Sequence, residues 1–425
     1  MTKLPTAAAT LAQLAAGRTT AAAIAEEHLD RIARREPELR AFAWLEPDLV
    51  RQQAARVDAA RKAGRMRPMD GLLLGVKDVL DTADQPSQYG SAIWAGHRPR
   101  TDAASVALAR RAGGVIAGKT VTTEFATRHP GPTRNPANGA HSPGGSSSGS
   151  AAGVAAGFFH LGFGTQTAGS IIRPAAFCGA HGFKPGFGVL HRAGMKVMSE
   201  SLDTIGLLGR GLDDLALGMT ALTGLDHGTP SRRQGRSPRL GLTLGPAADL
   251  ATPGTRDLLE RVAEACRRAG ATVEAVKLPA ECDAAFSAHS HVMNMESAEA
   301  LAWELDNAAH LLSPVLRERM DWAMGEPRGR LVEGRAAFAA SRRAFAAAMQ
   351  GFDALLTPPA AGEAPEGLGW TGDPGFNSLW TSLHVPCATF PAGSGPAGLP
   401  MGVQVVAMDD AGALGWAAWV EAHAA

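Results

Sequence analysis

The chain has 425 residues, 45% hydrophobic and 19% charged, with 41 basic residues matched by 41 acidic ones. That length is ample for a large buried core, and zero net charge with a pI near 7.2 gives no electrostatic reason to expect nucleic acid or an anionic membrane as the main partner. No run reaches the roughly 20 apolar residues of a membrane helix, and Glu26, Glu27 and Asp30 interrupt the Ala-rich start before it can read as a signal peptide, so a cytoplasmic protein is the expectation.

Residues 1–65 are predicted to be a helical segment, with Ala25, Leu29, Ile32 and Ala33 on one face and Glu26, Glu27 and Arg31 on the other. Leu72, Leu73, Leu74 and Val76 then form an apolar run into Lys77-Asp78, read as a buried strand. Asp102 is placed as the N-cap of a helix carrying Val106 and Ala109 and stopping at Gly113-Gly114, with Val115-Ile116-Ala117 as the next strand. From Ser142 to Gly188 the chain is built of Gly, Ser, Ala and Pro. Such a density of small residues implies backbones packed on each other or aimed at a ligand. A more variable helical region follows over 225–350. It holds a basic loop from Pro230 to Pro238, strands near 240–244 and 272–278, and helices over 255–268, 283–308 and 330–350. Strands return at 354–357, 388–390 and 403–406. Strands alternating with helices, without a repeat or a linker, predict one large α/β domain over residues 1–425 around a mixed sheet. The four cysteines form no CxxC pair and read as reduced core residues, so neither a metal nor a redox site is indicated.

Two glycine motifs need their context. Gly113 to Thr120 has P-loop spacing, but a helix precedes it and Val115-Ile116-Ala117 reads as a strand inside the supposed loop, so a helix-to-strand turn is the better reading than a nucleotide site. Gly393 to Gly398 has dinucleotide-fingerprint spacing. Pro400 and the strand-like Val403-Gln404-Val405 follow it, with no helix to receive a pyrophosphate.

Three elements carry chemistry: Gly75-Val76-Lys77-Asp78-Val79, the run Pro143-Gly144-Gly145-Ser146-Ser147-Ser148-Gly149-Ser150, and Gly164 to Pro174 with Ser170. Alone, each would be an ordinary surface lysine, flexible loop or capping serine; their occurrence together and in order changes the reading. A serine hydroxyl is a weak nucleophile until a base takes its proton. A lysine can be that base if burial lowers its pKa toward the working pH, and a second hydroxyl can pass the proton because it both donates and accepts.

With these residues the chain resembles the amidase signature family. The matching stretches are Gly71 to Ser91, Asp102 to Phe125 with Gly118-Lys119-Thr120, Ser142 to Pro185 with Gly182-Phe183-Lys184-Pro185, Asp353 to Pro358, and Gly398 to Gln404. The resemblance implies a twisted mixed β-sheet core covered by helices on both faces. It implies Ser170 as acyl-enzyme nucleophile, Ser146 as a bridging serine in cis peptide geometry, and Lys77 as the base. An oxyanion hole from Thr167, Ala168, Gly169 and Ser170 is implied as well. Small residues at Ala168 and Gly169 suit that role, since they let backbone N–H groups approach an oxyanion.

The sequence departs from the common family pattern at the nucleophile loop. Gln166 stands where Asp is usual, Ile172 where Arg is usual with Arg173 one place later, and Ala168 where Gly is usual. The expectation is that an ion pair bracing the loop is replaced by a neutral brace through Gln166, with Arg173 re-aimed. Tyr89, Thr123, Phe125, Ser147 and Trp380 are the candidate substrate-binding residues, favouring a small aryl or aliphatic amide or carbamate. His129, His141, His181 and His191 lie near the motifs, but no G-x-S-x-G elbow surrounds Ser170, so a His triad is the weaker mechanism. No cofactor and no metal is implied, and self-association as a homodimer is left open. The competing functions are a glutaminase subunit of a tRNA amidotransferase, against which stands the lack of a basic arm, a nucleotide-binding protein through Gly113 to Thr120, and an inactive scaffold on the same fold.

Overall fold

The apolar run that ends at Lys77 is a strand buried at every position, as a sheet covered on both faces requires. In the computed structural model, which describes residues 5–232 and 237–424, it belongs to one mixed sheet of eleven strands. In chain order these are β1 (Phe42–Trp44), β2 (Leu73–Lys77), β3 (Val115–Thr120), β4 (Leu161–Gln166), β5 (His181–Lys184), β6 (Thr204–Gly209), β7 (Arg239–Leu242), β8 (Thr272–Ala275), β9 (Ala354–Thr357), β10 (Cys387–Ser394) and β11 (Pro400–Val406). They lie in the order β1-β3-β2-β4-β6-β5-β10-β11-β9-β7-β8. The pairs of β2 with β3 and β4, and of β7 with β8 and β9, are parallel, and the rest are antiparallel.

Alternation along the strands splits the core in two. Leu74, Val76 and Ile116 join a cluster with Val106 and Ala109 of helix Ala104–Arg111 and Leu215 of helix Leu212–Thr223. Leu73, Val115 and Ala117 point the other way, into Ile24, Leu29 and Ile32 of helix Ala21–Leu39 and Val50 of helix Pro47–Lys62. The glycine-rich segment works as close packing. Gly75 and Gly153 both abut the ring of Phe159, where a Cβ would come within 2.5 and 2.4 Å of it. At Gly149 a Cβ would lie 2.1 Å from the Ala41 carbonyl oxygen, so helix Ser148–Ala155 can approach that backbone only with glycine there.

Parallel register sets up the site. Leu74 pairs with Leu161 and Val76 with Phe163, so β2 and β4 end side by side and bring Lys77 to Thr165. Several sequence expectations are corrected. The N-terminal segment contains β1 between its helices, a three-residue edge strand too short to show a period. Asp102 does not cap its helix: Ala103 stands at the N-cap without a side-chain bond, while Asp102 accepts from Ala83 N–H at 2.9 Å and pairs with Arg110 at 3.0 Å. The helix expected over 283–308 begins at Ala280 and breaks at Leu301, and helix Pro314–Gly325 has no counterpart among the expected elements. β4, β5 and β6 are also additional to them, because glycines interrupt strands that are buried throughout and leave no alternation to see. Of the basic loop expected over 230–238, residues 233–236 lie outside the described residues. All four cysteines are free and buried. No helix among the described residues is long and apolar enough to cross a membrane.

Candidate active site

Lys77 ends β2 with no exposed surface. Its Nζ lies 2.7 Å from Ser146 Oγ, 2.7 Å from Thr165 Oγ1 and 3.3 Å from the Thr165 carbonyl oxygen. Burial lowers its pKa from the ordinary 10.5 to about 7, partly opposed by the negative charge of Asp203. Three contacts and the Cε bond complete a tetrahedral nitrogen. In the neutral amine, two N–H groups donate to Thr165 and the lone pair accepts the Ser146 hydroxyl. The Gly145–Ser146 peptide bond is cis, in keeping with the resemblance.

Ser170 follows β4 on a loop whose carbonyls are tied down one by one. His289 Nε2 donates to Thr167 O at 2.9 Å, Thr381 Oγ1 to Ala168 O at 2.8 Å, the Arg173 N–H to Gly169 O at 3.0 Å, and the Ser147 N–H to Ser170 O at 3.3 Å. In a trans peptide the next N–H points opposite its carbonyl. Fixing these carbonyls therefore fixes the N–H groups of Ala168, Gly169 and Ser170, which donate to no protein acceptor among the described residues. Thr167 is held in turn by Asp203, a buried carboxylate that accepts its hydroxyl at 2.5 Å and the N–H groups of Met198 and Ser199 at 2.7 and 3.1 Å. Ser147 N–H also joins the two serine loops, while Ser170 Oγ has no hydrogen-bond partner among the described residues.

Gln166 is placed to brace this loop without charge. Its Oε1 accepts from the N–H groups of Ile171 and Ile172 at 3.0 and 3.1 Å, and its Nε2 donates at 3.1 Å to Thr381 Oγ1, the hydroxyl that holds Ala168 O. An ionised Asp could accept but could not supply that donor. Gln166→Ala would strand two buried N–H groups at about 1–3 kcal/mol each. It is expected to lower Tm by several degrees and slow turnover about tenfold or more, measured by calorimetry and steady-state kinetics; if both are unchanged, Gln166 braces nothing. Arg173 turns to the Gly145–Ser146 peptide: its Nη2 donates to Gly145 O at 2.8 Å and reaches Thr371 Oγ1 at 3.4 Å.

Ser170 opens into a pocket. The wall includes Met198, Met293, Leu316 and Met320 on the apolar side and Arg128, Arg173, Arg319 and Asn294 on the polar side, with Trp370 exposed near the rim. None of the five residues expected to bind substrate lines it. The Tyr89 hydroxyl donates to Asp81 at 2.8 Å, and its ring packs on Trp94 and His97. Thr123 donates to the Thr127 carbonyl, Phe125 is buried beside Lys196, and Trp380 packs in the core against Phe345. Ser147 Oγ is engaged by the Thr165 backbone, accepting from its N–H and donating to its carbonyl at 3.3 Å each. Trp370 is the aromatic that reaches the pocket, and it is not among the five.

The other motifs have structural partners. Lys119 forms a buried pair with Asp78 at 3.0 Å and also donates to Leu80 O at 2.8 Å and to Ser87 Oγ, leaving its ammonium fully engaged inside the protein. Gly393 and Ser394 end β10, paired with Met401 and Pro400, and the residues after them turn into β11. His181 bonds Glu421 at 2.7 Å, and His141 bonds Ala364 O at 2.9 Å. The histidine that does touch the Ser170 loop, His289, donates to a carbonyl, and burial holds its pKa down to about 4. Thr165, Asp203, His289 and Thr381 escape sequence reasoning. A Thr or His that serves one backbone atom from a distant element leaves no local pattern.

Comparison with known proteins gives a consistent result. A protein-family model named Amidase matches residues 23–411. A glutamyl-tRNA(Gln) amidotransferase chain from Salinibacter ruber is 38% identical over 285 residues, 63% of this chain and 55% of that protein. Such alignments thus span little more than half the length of the first curated relatives. The corresponding amidotransferase chain of Synechococcus sp. (strain CC9605) is 30% identical over 445 residues, covering 93% of this chain and 91% of its own. The native peptide amidase from Stenotrophomonas maltophilia superposes with a TM-score of 0.83 at 29% identity over 98% of this chain and 96% of that one.

Proposed function

This chain belongs to the amidase family, and on that premise we propose that it hydrolyses an amide-type C–N bond through an acyl-enzyme on Ser170, with protons carried by Ser146 and Lys77. The observation that carries this reading is Lys77, a fully buried amine 2.7 Å from the hydroxyl of Ser146. It has no evident structural need for charge, since it has no carboxylate within ion-pair distance among the described residues.

Ser170 Oγ attacks the carbonyl carbon as its proton passes to Ser146 and that of Ser146 to Lys77. The carbonyl π electrons move onto oxygen, where N–H groups of the 167–170 loop receive the charge; one such donor is worth about 3 kcal/mol of barrier. The C–N bond then breaks, and the leaving nitrogen takes the proton back along the same path. Water repeats the sequence on the acyl-enzyme: it loses a proton to the relay, forms the new C–O bond and expels Ser170 as the hydroxyl. Lys77 begins and ends neutral.

The test is labelling by a fluorophosphonate followed by a panel of primary amides, aryl amides and carbamates. Modification at Ser170 and turnover of at least one class are expected; a folded protein that is not labelled at Ser170 would overturn the reading.

A second reading, favoured by the amidotransferase relatives, is a glutaminase that delivers ammonia within a larger assembly. It requires glutamine to release ammonia, and to do so faster when a partner protein is bound. Turnover of the panel by the chain alone, with glutamine inert, speaks against it.

A further inference from the structure

Beside Ser170 the pocket is basic and lacks an acid to match. Three arginines line it, no carboxylate side chain does, and none of the three has a carboxylate within 4 Å among the described residues. Arg173 is the informative one. It is 5% exposed, and only its Nη2 is bonded; Nε and Nη1 are buried without a partner. Asp373 is the opposite charge it feels, but that carboxylate lies beyond ion-pair distance and its Oδ1 accepts the Gly375 N–H at 2.8 Å. Arg319 donates to the neutral Asn294 Oδ1 at 2.6 Å, and Arg128 is exposed.

Bracing the Gly145 carbonyl does not account for this. One carbonyl needs one N–H, whereas a guanidinium brings five donors and a permanent charge into a place where burying a charge is unfavourable. Burial in fact draws Arg173 down to about 10, and Arg319 is lowered to about 10 by burial and by the neighbouring Arg128. Charges held at such a cost beside a reactive serine are compensated when an anion enters.

Resting on the reading of Ser170 as nucleophile, we propose that the substrate carries a carboxylate, or an anion of similar size, close to its scissile amide, and that Arg173, supported by Arg128 and Arg319, selects it. The apolar wall of Met198, Met293, Leu316 and Met320 then packs the short uncharged part of the molecule. Arg173 is a specificity-determining residue in this scheme, outside the proton relay.

The probes are succinamate against its neutral relatives succinamide and butyramide, and succinate as a ligand that slows fluorophosphonate labelling of Ser170. The expected result is a kcat/KM for succinamate at least about a hundredfold above that for butyramide, falling with added salt. Succinate, but not butyramide, should protect Ser170 from labelling. Arg173→Gln should remove most of the preference while lowering butyramide turnover much less, and Arg173→Lys should keep part of it. Should Arg173→Gln fail to fold, Arg128→Gln on the exposed rim is expected to cost succinamate several-fold in KM with kcat little changed. Equal turnover of charged and neutral amides without protection by succinate overturns the anion reading while leaving Ser170 intact as nucleophile. An equal loss for all amides in Arg173→Gln assigns Arg173 to structure alone and also overturns it. Loss of the parent reading looks different: no labelling of Ser170 at all.

Discussion

Ser170→Ala is expected to lower kcat/KM by at least about 10^4-fold for whichever amide the protein turns over, by analogy with the loss of other activated serines. The substitution removes only Oγ. That atom has no hydrogen-bond partner among the described residues, so no buried group loses its mate. The backbone of residue 170 keeps both the carbonyl that accepts from Ser147 and the N–H aimed away from Gly169 O. Stability should therefore stay within about 0.5 kcal/mol of the wild type. A large loss of turnover with an unchanged Tm, and loss of fluorophosphonate labelling, is the signature of a nucleophile. Hydrolysis undiminished in Ser170→Ala would sink the whole mechanism. Ser146→Ala would be a less clean probe, because it strips a partner from the buried Lys77 amine 2.7 Å away.

Why the proposed relay is legible in the sequence and the pocket is not follows from where their residues sit in the chain. Lys77, Ser146 and Ser170 each stand in a short stretch whose neighbours are constrained with them: an all-buried strand, a helix start that tolerates only glycine at Gly149, and a loop tied at every carbonyl. Constraint of that kind is written locally. The pocket is assembled otherwise. Met198 comes from a loop, Met293 and Asn294 from helix Ala280–Ala300, Leu316 and Arg319 from helix Pro314–Gly325, and Trp370 from the segment before helix Gly375–Ser382. Their meeting depends on how helices lie over the sheet, which no periodicity encodes. Aromatic size favours Trp380 and Phe125 as pocket candidates, yet both are core residues, and the apolar wall is made of flexible methionines and a leucine instead. Gln166 is an intermediate case. The paired departure at Gln166 and Arg173 signals that the loop is rewired, but only the structure reveals that Thr381 completes the brace and that two nitrogens of Arg173 stay unpartnered.

The burial of Lys77 gives the proposed relay a pH dependence with a definite sign. Its pKa in the folded protein is about 7 against an ordinary 10.5, because desolvation disfavours the ammonium. Below pH 7 the amine is protonated and cannot accept from Ser146; above it, the lone pair is available. Wild-type kcat/KM is therefore expected to rise tenfold per pH unit on the acid side and level off with an apparent pKa near 7. Lys77→Met should be slower by about 10^2- to 10^4-fold at pH 8 and lose that acid limb. Stability gives an independent readout. Between about 7 and 10.5 the unfolded chain holds a proton on Lys77 that the folded chain lacks, so this group's contribution to stability rises with pH across that window. Below 7 both states are protonated and the full cost of burying the charge remains. The Tm of the wild type minus that of Lys77→Met should accordingly grow as pH is raised from 7 toward 10, other groups cancelling in the difference. A flat difference together with a wild-type activity profile unchanged between pH 6 and 9 would mean that Lys77 stays charged. The relay would then need another base, and none of the described histidines is in hydrogen-bond reach of Ser170.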